Sequence, residues 1–219
     1  MKKLDKIAHA RKNYDLNELS SQNVHKSPFQ QFETWFEVAV QSQKILEPNA
    51  MVLATANAKG APSARMVLLK GFATKGLTFY TNYNSRKAQE LLQNPQAALL
   101  FYWDALEKQV RIEGTIHQLS ATESDQYFQQ RPKGSQIGAW ASPQSQVIDN
   151  RQWLKDKEAQ LTEQYADQDQ IPRPAHWGGF RLRPTRFEFW QGRPSRLHDR
   201  FQYRLDDFQN EWIIERLAP

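Results

Sequence analysis

Three potential cations recur at every second position of one short segment near the C-terminus. Arg196, His198 and Arg200 alternate with Leu197 and Asp199, so a strand here would place the three cations on one face. Like charges on one strand face repel each other unless an anion or a polarised ring lies against them. The spacing therefore favours a ligand site. The alternative is a solvated edge strand, on which charge also discourages aggregation.

A predicted strand followed by a helix start forms a second candidate anion site. The strand ends at Tyr80-Thr81-Asn82, Ser85 is the predicted cap, and Arg86 and Lys87 occupy the first helical turn. Cations at a helix N-terminus oppose the macrodipole and weaken the helix. A bound anion removes this conflict, because free backbone N–H groups and both cations then converge on it.

Two further segments have side chains suited to phosphate. Tyr127 and Arg131 are one helical turn apart, and Ser135 adds a second hydroxyl. An ordinary capped helix end is the alternative here. Arg65 and Lys70 flank an apolar run, and their spacing places them on opposite faces of a strand. Either each grips a phosphate while the strand backbone lines a flat ring, or both are exposed charges beside a buried strand.

Several classes of site lack their motifs in this sequence. The chain has no cysteine, no Gly-rich dinucleotide motif, no P-loop, no nucleophile elbow and no paired histidines at metal-ligand spacing. We therefore predict no metal site, and we expect any enzymatic chemistry to come from an organic cofactor. No apolar run approaches the roughly 18 residues of a membrane span, and no secretory signal is evident, so we expect a cytoplasmic protein.

The elements that must position these groups are mostly short strands. In 219 residues we predict a helix beginning at Ser27-Pro28, further helices starting at Ser85, Ser120, Ser135 and Asn150, and strands at 51–57, 63–72, 77–82, 97–103, 109–119, 179–183, 186–190, 197–205 and 211–217. Gly114 within the fifth strand indicates a bulge or a close approach. This order predicts a mainly β, α+β fold, an antiparallel barrel or sandwich with helical insertions. We expect a mobile arm over 1–26 and a single domain over 27–219.

The positive charge of the chain is local. The net charge is +5, yet residues 171–204 hold eight Arg, no Lys and two acidic residues. Arginine offers a planar fork for bidentate contacts to phosphate or carboxylate. A solvated basic face, nucleic acid and a small phosphorylated ligand all remain open on composition alone.

The candidate segments occur in an order that resembles one known family. They read RMVLLK (65–70), FYTNYNSRKAQEL (79–91), QVRIEG (109–114), YFQQRPKGSQIGAWASPQS (127–145), WGGFR (177–181), FEFWQG (187–192) and RLHDRF (196–201). This set resembles the pyridoxamine/pyridoxine 5′-phosphate oxidase family over nearly the whole chain. The resemblance implies an FMN-binding split β-barrel and a homodimer with FMN at the subunit interface.

The resemblance also implies a role for each matching residue. The flavin phosphate and ribityl groups would be held by Arg65, Arg86, Lys87, Gln144 and Ser145. The rest of the flavin site would be lined by Met66, Val67, Leu68, Leu69, Lys70, Tyr80, Thr81, Gln109, Trp190 and Arg200. The substrate phosphate would be held by Lys70, Tyr127, Arg131 and Ser135, and the pyridine ring by Arg196, Leu197 and His198. The arm residues Arg11 and Tyr14 would close over the site.

The implied reaction oxidises pyridoxamine or pyridoxine 5′-phosphate to pyridoxal 5′-phosphate. A hydride passes from C4′ to flavin N5, and the imine formed from the amine substrate hydrolyses to the aldehyde. O₂ reoxidises the flavin and gives H₂O₂. Arg196 and His198 would be the catalytic residues, and no nucleic acid or membrane partner is expected. The arm beyond Tyr14 and the loop Arg193-Pro194-Ser195 depart from the family's pattern. Two alternatives stay open: another split-barrel flavoprotein such as a flavin reductase, and a non-catalytic basic β-barrel that binds nucleic acid.

Overall fold

A computed structural model describes residues 13–206 and 208–219 of the chain. This part contains five α-helices and nine strands, in agreement with the predicted fold class. The helices are α1 (Pro28–Gln41), α2 (Arg86–Gln93), α3 (Ala121–Gln129), α4 (Lys133–Ala141) and α5 (Arg151–Gln164). The strands are β1 (Ala50–Ala56), β2 (Pro62–Leu68), β3 (Gly71–Ala73), β4 (Gly76–Asn82), β5 (Gln96–Trp103), β6 (Lys108–Gln118), β7 (Trp177–Gln191), β8 (Asp199–Asp206) and β9 (Glu211–Leu217).

One sheet contains all nine strands. Its main path runs β2-β1-β5-β6-β7-β4-β3, while β8 pairs with β7 and β9. The pairs β1–β2, β3–β4, β4–β7, β7–β8 and β8–β9 are antiparallel. No helix among the described residues is long and apolar enough to cross a membrane.

The chain packs as two compact units. Among the described residues, the first comprises 13–48, 100–112, 185–206 and 208–219. Its core is strongly aromatic: Phe32 of α1 packs on Phe101 and Trp103 of β5, and Phe189 packs on Tyr203. The arm contributes to this unit through Leu19, which is buried. The mobility expected of the arm stays a prediction.

The second unit comprises 49–99 and 113–184. Its helices α3 and α4 bury Phe128 and Ile137 in one cluster with Ile171 and Trp177. The predicted capping box at the start of α3 is confirmed, because Ser120 and Glu123 cap each other's backbone N–H groups. The predicted close approach at Gly114 is also confirmed, since a Cβ there would collide with the carbonyl oxygen of Arg183.

Two predictions about where strands begin and end were wrong: one predicted strand is split in two, and two predicted strands are joined. The strand expected over 63–72 is broken into β2 and β3, because the backbone changes partners: Leu69 N–H donates to Asn49, whereas Lys70 N–H donates to Thr78 of β4. The strands expected at 179–183 and 186–190 are instead the single strand β7. Pro184 does not end this strand, since a strand can pass a proline where no ladder donor is required.

Candidate functional site

A cavity of about 640 Å³ opens within the second unit. Most of the predicted site residues of this unit line it: Met66, Val67, Leu68, Lys70, Tyr80, Thr81, Lys87, Tyr127, Arg131, Ser135 and Gln144. The remaining lining residues are Gln130, Pro132 and Trp177, none of which we predicted. Strand ends, a helix start and the α3–α4 turn therefore bring together segments that lie far apart in sequence.

The α3–α4 turn supplies a half-buried cation, Arg131, to this cavity. Nη1 of Arg131 is buried and has no hydrogen-bond partner among the described residues. Burial lowers the pKa of Arg131 from its usual value, and the nearby Tyr127 acts in the opposite direction. A buried guanidinium nitrogen without an acceptor is costly unless an anion binds it. Lys70, Tyr127 and Ser135 line the same cavity as Arg131, so the four residues predicted to hold the substrate phosphate lie around one space.

An aromatic stack holds Arg131 in place. Its guanidinium carbon lies 4.5 Å from the ring centroid of Trp177. Trp177 stacks on Tyr80 at 5.4 Å, and Tyr80 stacks on Tyr127 at 3.9 Å. The cation–π contact stabilises the guanidinium without using its N–H donors, which stay available for a ligand. Trp177 was missed because the sequence shows only an aromatic residue at the start of a strand.

The start of α2 supplies a second cation. Ser85 caps the helix as predicted, with its side chain accepting from Ala88 N–H. Lys87 Nζ donates to Gln144 Oε1 at 3.0 Å and to Thr81 Oγ1 at 3.3 Å. Desolvation, and then the charge of Arg65, lower the pKa of Lys87. The charges of Lys87 and Arg65 are thus close enough to affect each other.

Four predicted residues of this unit are not part of the cavity lining. Leu69 is buried, and Ser145, which follows Gln144 in the sequence, is exposed with a positive φ of 72°. Arg65 and Arg86 both turn to Glu90, a buried residue of α2 that we did not predict. The available signal was the spacing of four between Arg86 and Glu90, which places both on one helix face.

The predicted residues of the first unit form their own group around Trp190. The rings of Trp190 and His198 lie 4.6 Å apart, and Tyr14 packs edge-on against both at 5.6 Å. Gly192 permits this contact, because a Cβ there would lie 2.8 Å from the Tyr14 ring. Arg11 lies outside the described residues.

Arg200 and Gln109 complete this group on regular strands. Arg200 of β8 donates to Glu188 Oε1 at 3.0 Å through Nε, and its Nη1 donates to the carbonyl of Ala218. Gln109 lies half-buried on β6. The Arg200 side chain is therefore held by its hydrogen-bond partners, whereas the residues just before β8 do not belong to a strand.

The strand predicted over 197–205 was wrong at its start. A 3₁₀ turn spans Pro194–Arg196, and β8 begins only at Asp199. Ser195 and Arg196 have positive φ values of 58° and 63°, which no strand allows. Arg196, Leu197 and His198 therefore lie on a loop, with Arg196 and Leu197 exposed. Of the three cations predicted to share one strand face, only Arg200 lies on a strand.

The loop fixes the protonation of His198. Its Nδ1 accepts the backbone N–H of Arg193 at 3.1 Å, so the neutral ring carries its proton on Nε2. Burial, followed by the charge of Arg196, lowers the pKa of His198, and Asp199 partly offsets this. The ring is thus neutral near pH 7 and presents an N–H donor at Nε2.

Comparison with known proteins places this chain. Residues 39–165 match the family described as pyridoxamine 5′-phosphate oxidase, and residues 177–219 match the pyridoxine 5′-phosphate oxidase C-terminal dimerisation region. The pyridoxine/pyridoxamine 5′-phosphate oxidase of Salinibacter ruber is 54% identical over 216 residues, covering 99% of this chain and all of that protein. The protein of the same name from Paraburkholderia phytofirmans is 55% identical over 213 residues, 97% of this chain and 99% of its own. The chain belongs to the pyridoxine/pyridoxamine 5′-phosphate oxidase family.

Solved structures agree with this family membership. PhzG from Burkholderia lata 383, crystallised with tetrahydrophenazine-1-carboxylic acid, has a TM-score of 0.86 at 30% identity, covering 93% of this chain and 99% of its own. A pyridoxamine 5′-phosphate oxidase-related, FMN binding protein from Nostoc punctiforme has a TM-score of 0.69 at 19% identity, covering 90% and 100%. The predicted split β-barrel fold is thereby confirmed. As a member of this oxidase family, the chain is a flavin-dependent oxidoreductase of vitamin B6 metabolism that forms a homodimer.

Proposed function

We propose that this protein uses FMN to oxidise pyridoxamine 5′-phosphate and pyridoxine 5′-phosphate to pyridoxal 5′-phosphate. One observation supports this most directly: a single cavity is lined by two separate cationic groups, Lys87 at the start of α2 and Arg131 on the α3–α4 turn. A cofactor phosphate and a substrate phosphate need two such groups. Holding both molecules at their phosphates fixes the reacting rings relative to each other.

The residues of the second unit suit a flavin. Lys87, Gln144 and Thr81 form a hydrogen-bonded group of donors and acceptors beside the capped start of α2, where backbone N–H groups also favour an anion. The segment Met66–Leu68 lines the same cavity with strand backbone, which suits the edge of a flat polar ring. We assign Arg65, Arg86, Lys87, Gln144 and Ser145 to the phosphate and ribityl groups, and Tyr80, Thr81 and the 66–70 segment to the ring.

The substrate phosphate is assigned to the other cationic group. The orphaned Nη1 of Arg131 supplies a charge-assisted hydrogen bond, and Lys70, Tyr127 and Ser135 supply an ammonium group and two hydroxyls. The unsatisfied donor supports a preference for a phosphorylated vitamer, because a substrate without phosphate would leave that buried nitrogen unpaired.

The loop residues of the first unit act on the reacting ring. A bound flavin would supply the two-electron oxidation at substrate C4′, with O₂ as the electron acceptor and H₂O₂ as the product. Arg196 stabilises negative charge on the substrate ring or its hydroxyl, and His198 donates a hydrogen bond from Nε2 to orient it. Gln109, Trp190 and Arg200 complete the flavin environment. Arg11 and Tyr14 close the site from the arm.

We further propose that FMN lies at the subunit interface of the homodimer. The matched dimerisation region spans residues 177–219, which include Trp190, Arg196, His198 and Arg200. Four proposed site residues thus lie in the region that dimerises. We also propose that residues 27–219 form a single domain and that residues 1–26 form a mobile arm.

The identity of the cofactor provides the first test. The purified protein is expected to be yellow, and denaturation is expected to release one flavin per chain that co-elutes with FMN. A colourless protein that binds single-stranded nucleic acid with a steep salt dependence would support the basic-barrel alternative instead. Release of FAD or riboflavin would contradict the assignment of a phosphate monoester to the start of α2.

A further inference from the structure

A buried carboxylate lies behind the proposed flavin-phosphate site. Glu90 of α2 is only 5% exposed, and both of its carboxylate oxygens are engaged. Oε2 accepts from Thr55 Oγ1 at 2.5 Å and from Ser63 Oγ at 2.6 Å, and it lies 3.3 Å from Arg65 Nη2. Oε1 accepts from Arg86 Nε at 2.8 Å. One acidic side chain thus contacts both arginines that we assign to the flavin phosphate.

The surrounding strands are arranged to serve this carboxylate. Thr55 and Ser63 are paired directly opposite each other on β1 and β2. Their two hydroxyls therefore lie side by side, and both donate to Oε2 of Glu90. Arg65 follows Ser63 by two residues and therefore points to the same face. Its guanidinium also donates to Thr55 and to the carbonyl of Leu53, which leaves little freedom of orientation.

Glu90 remains ionised in this setting. Burial by itself raises the pKa of the carboxyl group, but hydrogen bonds from Ser63, Thr55 and Arg86 outweigh burial and lower the pKa to about 2. Three cations, Arg65, Arg86 and Lys87, and one carboxylate therefore leave a net charge of +2 at this corner. A phosphate monoester carries about −1.5 to −2 near pH 7, so the charges match.

We propose that Glu90 is a positioning residue for the flavin phosphate, acting through Arg65 and Arg86 rather than by contact with the cofactor. It holds the Arg65 guanidinium against the sheet and fixes the Arg86 side chain by its Nε, while that side chain stays 65% exposed. This inference rests on the proposed function, since it assumes that a flavin phosphate binds at the start of α2.

The test compares FMN with riboflavin, which has the same ring and ribityl chain but no phosphate. Apoprotein prepared from the full-length holoenzyme is titrated with each flavin, and the dissociation constants are read from flavin fluorescence. We expect Glu90→Gln to raise the Kd for FMN by about tenfold or more, the scale on which loss of an outer partner weakens other binding sites. The Kd for riboflavin is expected to stay within about twofold, because riboflavin has no phosphate for the two arginines to bind and the ring contacts are untouched.

Two further variants secure the comparison. Glu158→Gln on the exposed face of α5 removes the same charge without touching the site, and it is expected to leave both constants unchanged. Ser63→Ala removes one hydrogen bond to Glu90 and is expected to weaken FMN binding by less than Glu90→Gln, again without an effect on riboflavin. This milder change keeps the inference open to refutation if the Glu90→Gln protein does not fold.

The outcomes separate the inference from the function on which it rests. FMN binding that is unchanged or tighter in Glu90→Gln and Ser63→Ala, while Lys87→Ala weakens it, would overturn the role of Glu90 alone. Equal loss of FMN and riboflavin would make Glu90 a structural residue and overturn the inference as well. If the wild-type protein does not prefer FMN to riboflavin and Lys87→Ala changes neither constant, the flavin phosphate binds elsewhere and the proposed function fails at this site.

Discussion

The cavity of the second unit and the loop before β8 in the first unit are built in different ways. Cavity residues such as Lys87 and Arg131 lie on or beside regular elements, and their positions follow from caps, ladders and ring stacking. Arg196 and His198 lie on a loop whose course depends on positive φ at Ser195 and Arg196. Phosphate binding needs charge at roughly the right place, whereas action on a reacting ring needs side chains at a few defined angles, and the two regions differ accordingly.

The largest effect is expected from the loop. Arg196→Ala should lower kcat by about 100-fold or more, since loss of one group that stabilises developing charge costs about that much. The flavin content is expected to stay near that of the wild type, because the phosphate-binding residues are intact. Steady-state kinetics and absorbance of the bound flavin measure the two quantities. Arg204→Ala on β8, which removes a neighbouring arginine, serves as the control; a parallel loss of flavin and turnover would remove Arg196 from the substrate side.

Substitution of a cavity residue is expected to change substrate binding rather than turnover. Arg131→Ala removes a charge-assisted hydrogen bond, worth about 1.5–3 kcal/mol, so KM for the phosphorylated substrate should rise about 10- to 100-fold with little change in kcat. Arg151→Ala, an exposed arginine at the start of α5, is the matched control. An unchanged KM for Arg131→Ala would refute the phosphate cup.

Sequence patterns predicted local features of the second unit better than they predicted the course of the loop before β8. The Ser85 cap, the capping box at Ser120 and the close approach at Gly114 follow from local rules of sterics and hydrogen bonding, and all three are present. The break between β2 and β3 was missed, because a change of strand partner depends on residues distant in sequence.

The loop and Glu90 were missed for related reasons. Alternating polarity over 196–200 fits a strand, yet nothing in those residue types indicates positive φ at a serine and an arginine. Glu90 looks like an ordinary helix-surface acid until the β1–β2 hydroxyls are seen to cover it.

The left-handed backbone of the loop can be tested separately from its chemistry. Ser195→Val places a β-branched residue at φ 58° and is expected to lower the free energy of unfolding by about 1–2 kcal/mol, whereas Ser195→Gly should be neutral or slightly stabilising. Chemical denaturation followed by intrinsic fluorescence measures both. Equal stability of the two variants would show that the loop does not need this conformation.

The smallest expected effect is the titration of His198. Its pKa in the folded protein lies below the ordinary histidine value of 6.5, so the unfolded chain binds more protons and stability falls as the pH drops through 6.5. The groups around the ring are Tyr14, Trp190, Arg193, Arg196 and Asp199. Denaturation midpoints between pH 8 and pH 5 should decline less steeply in His198→Gln than in the wild type. Identical slopes would contradict the neutral, hydrogen-bonded ring.

The central claim is that two anion-binding groups in one cavity serve a flavin oxidase of phosphorylated B6 vitamers. The most direct measurement is H₂O₂ release with pyridoxamine 5′-phosphate and with pyridoxamine, for the wild type and for Arg131→Ala. We predict that the wild type turns over the phosphorylated amine at low concentration and strongly prefers it to pyridoxamine, and that Arg131→Ala loses most of this preference. Equal rates with both amines, or a preference that survives in Arg131→Ala, would contradict the account.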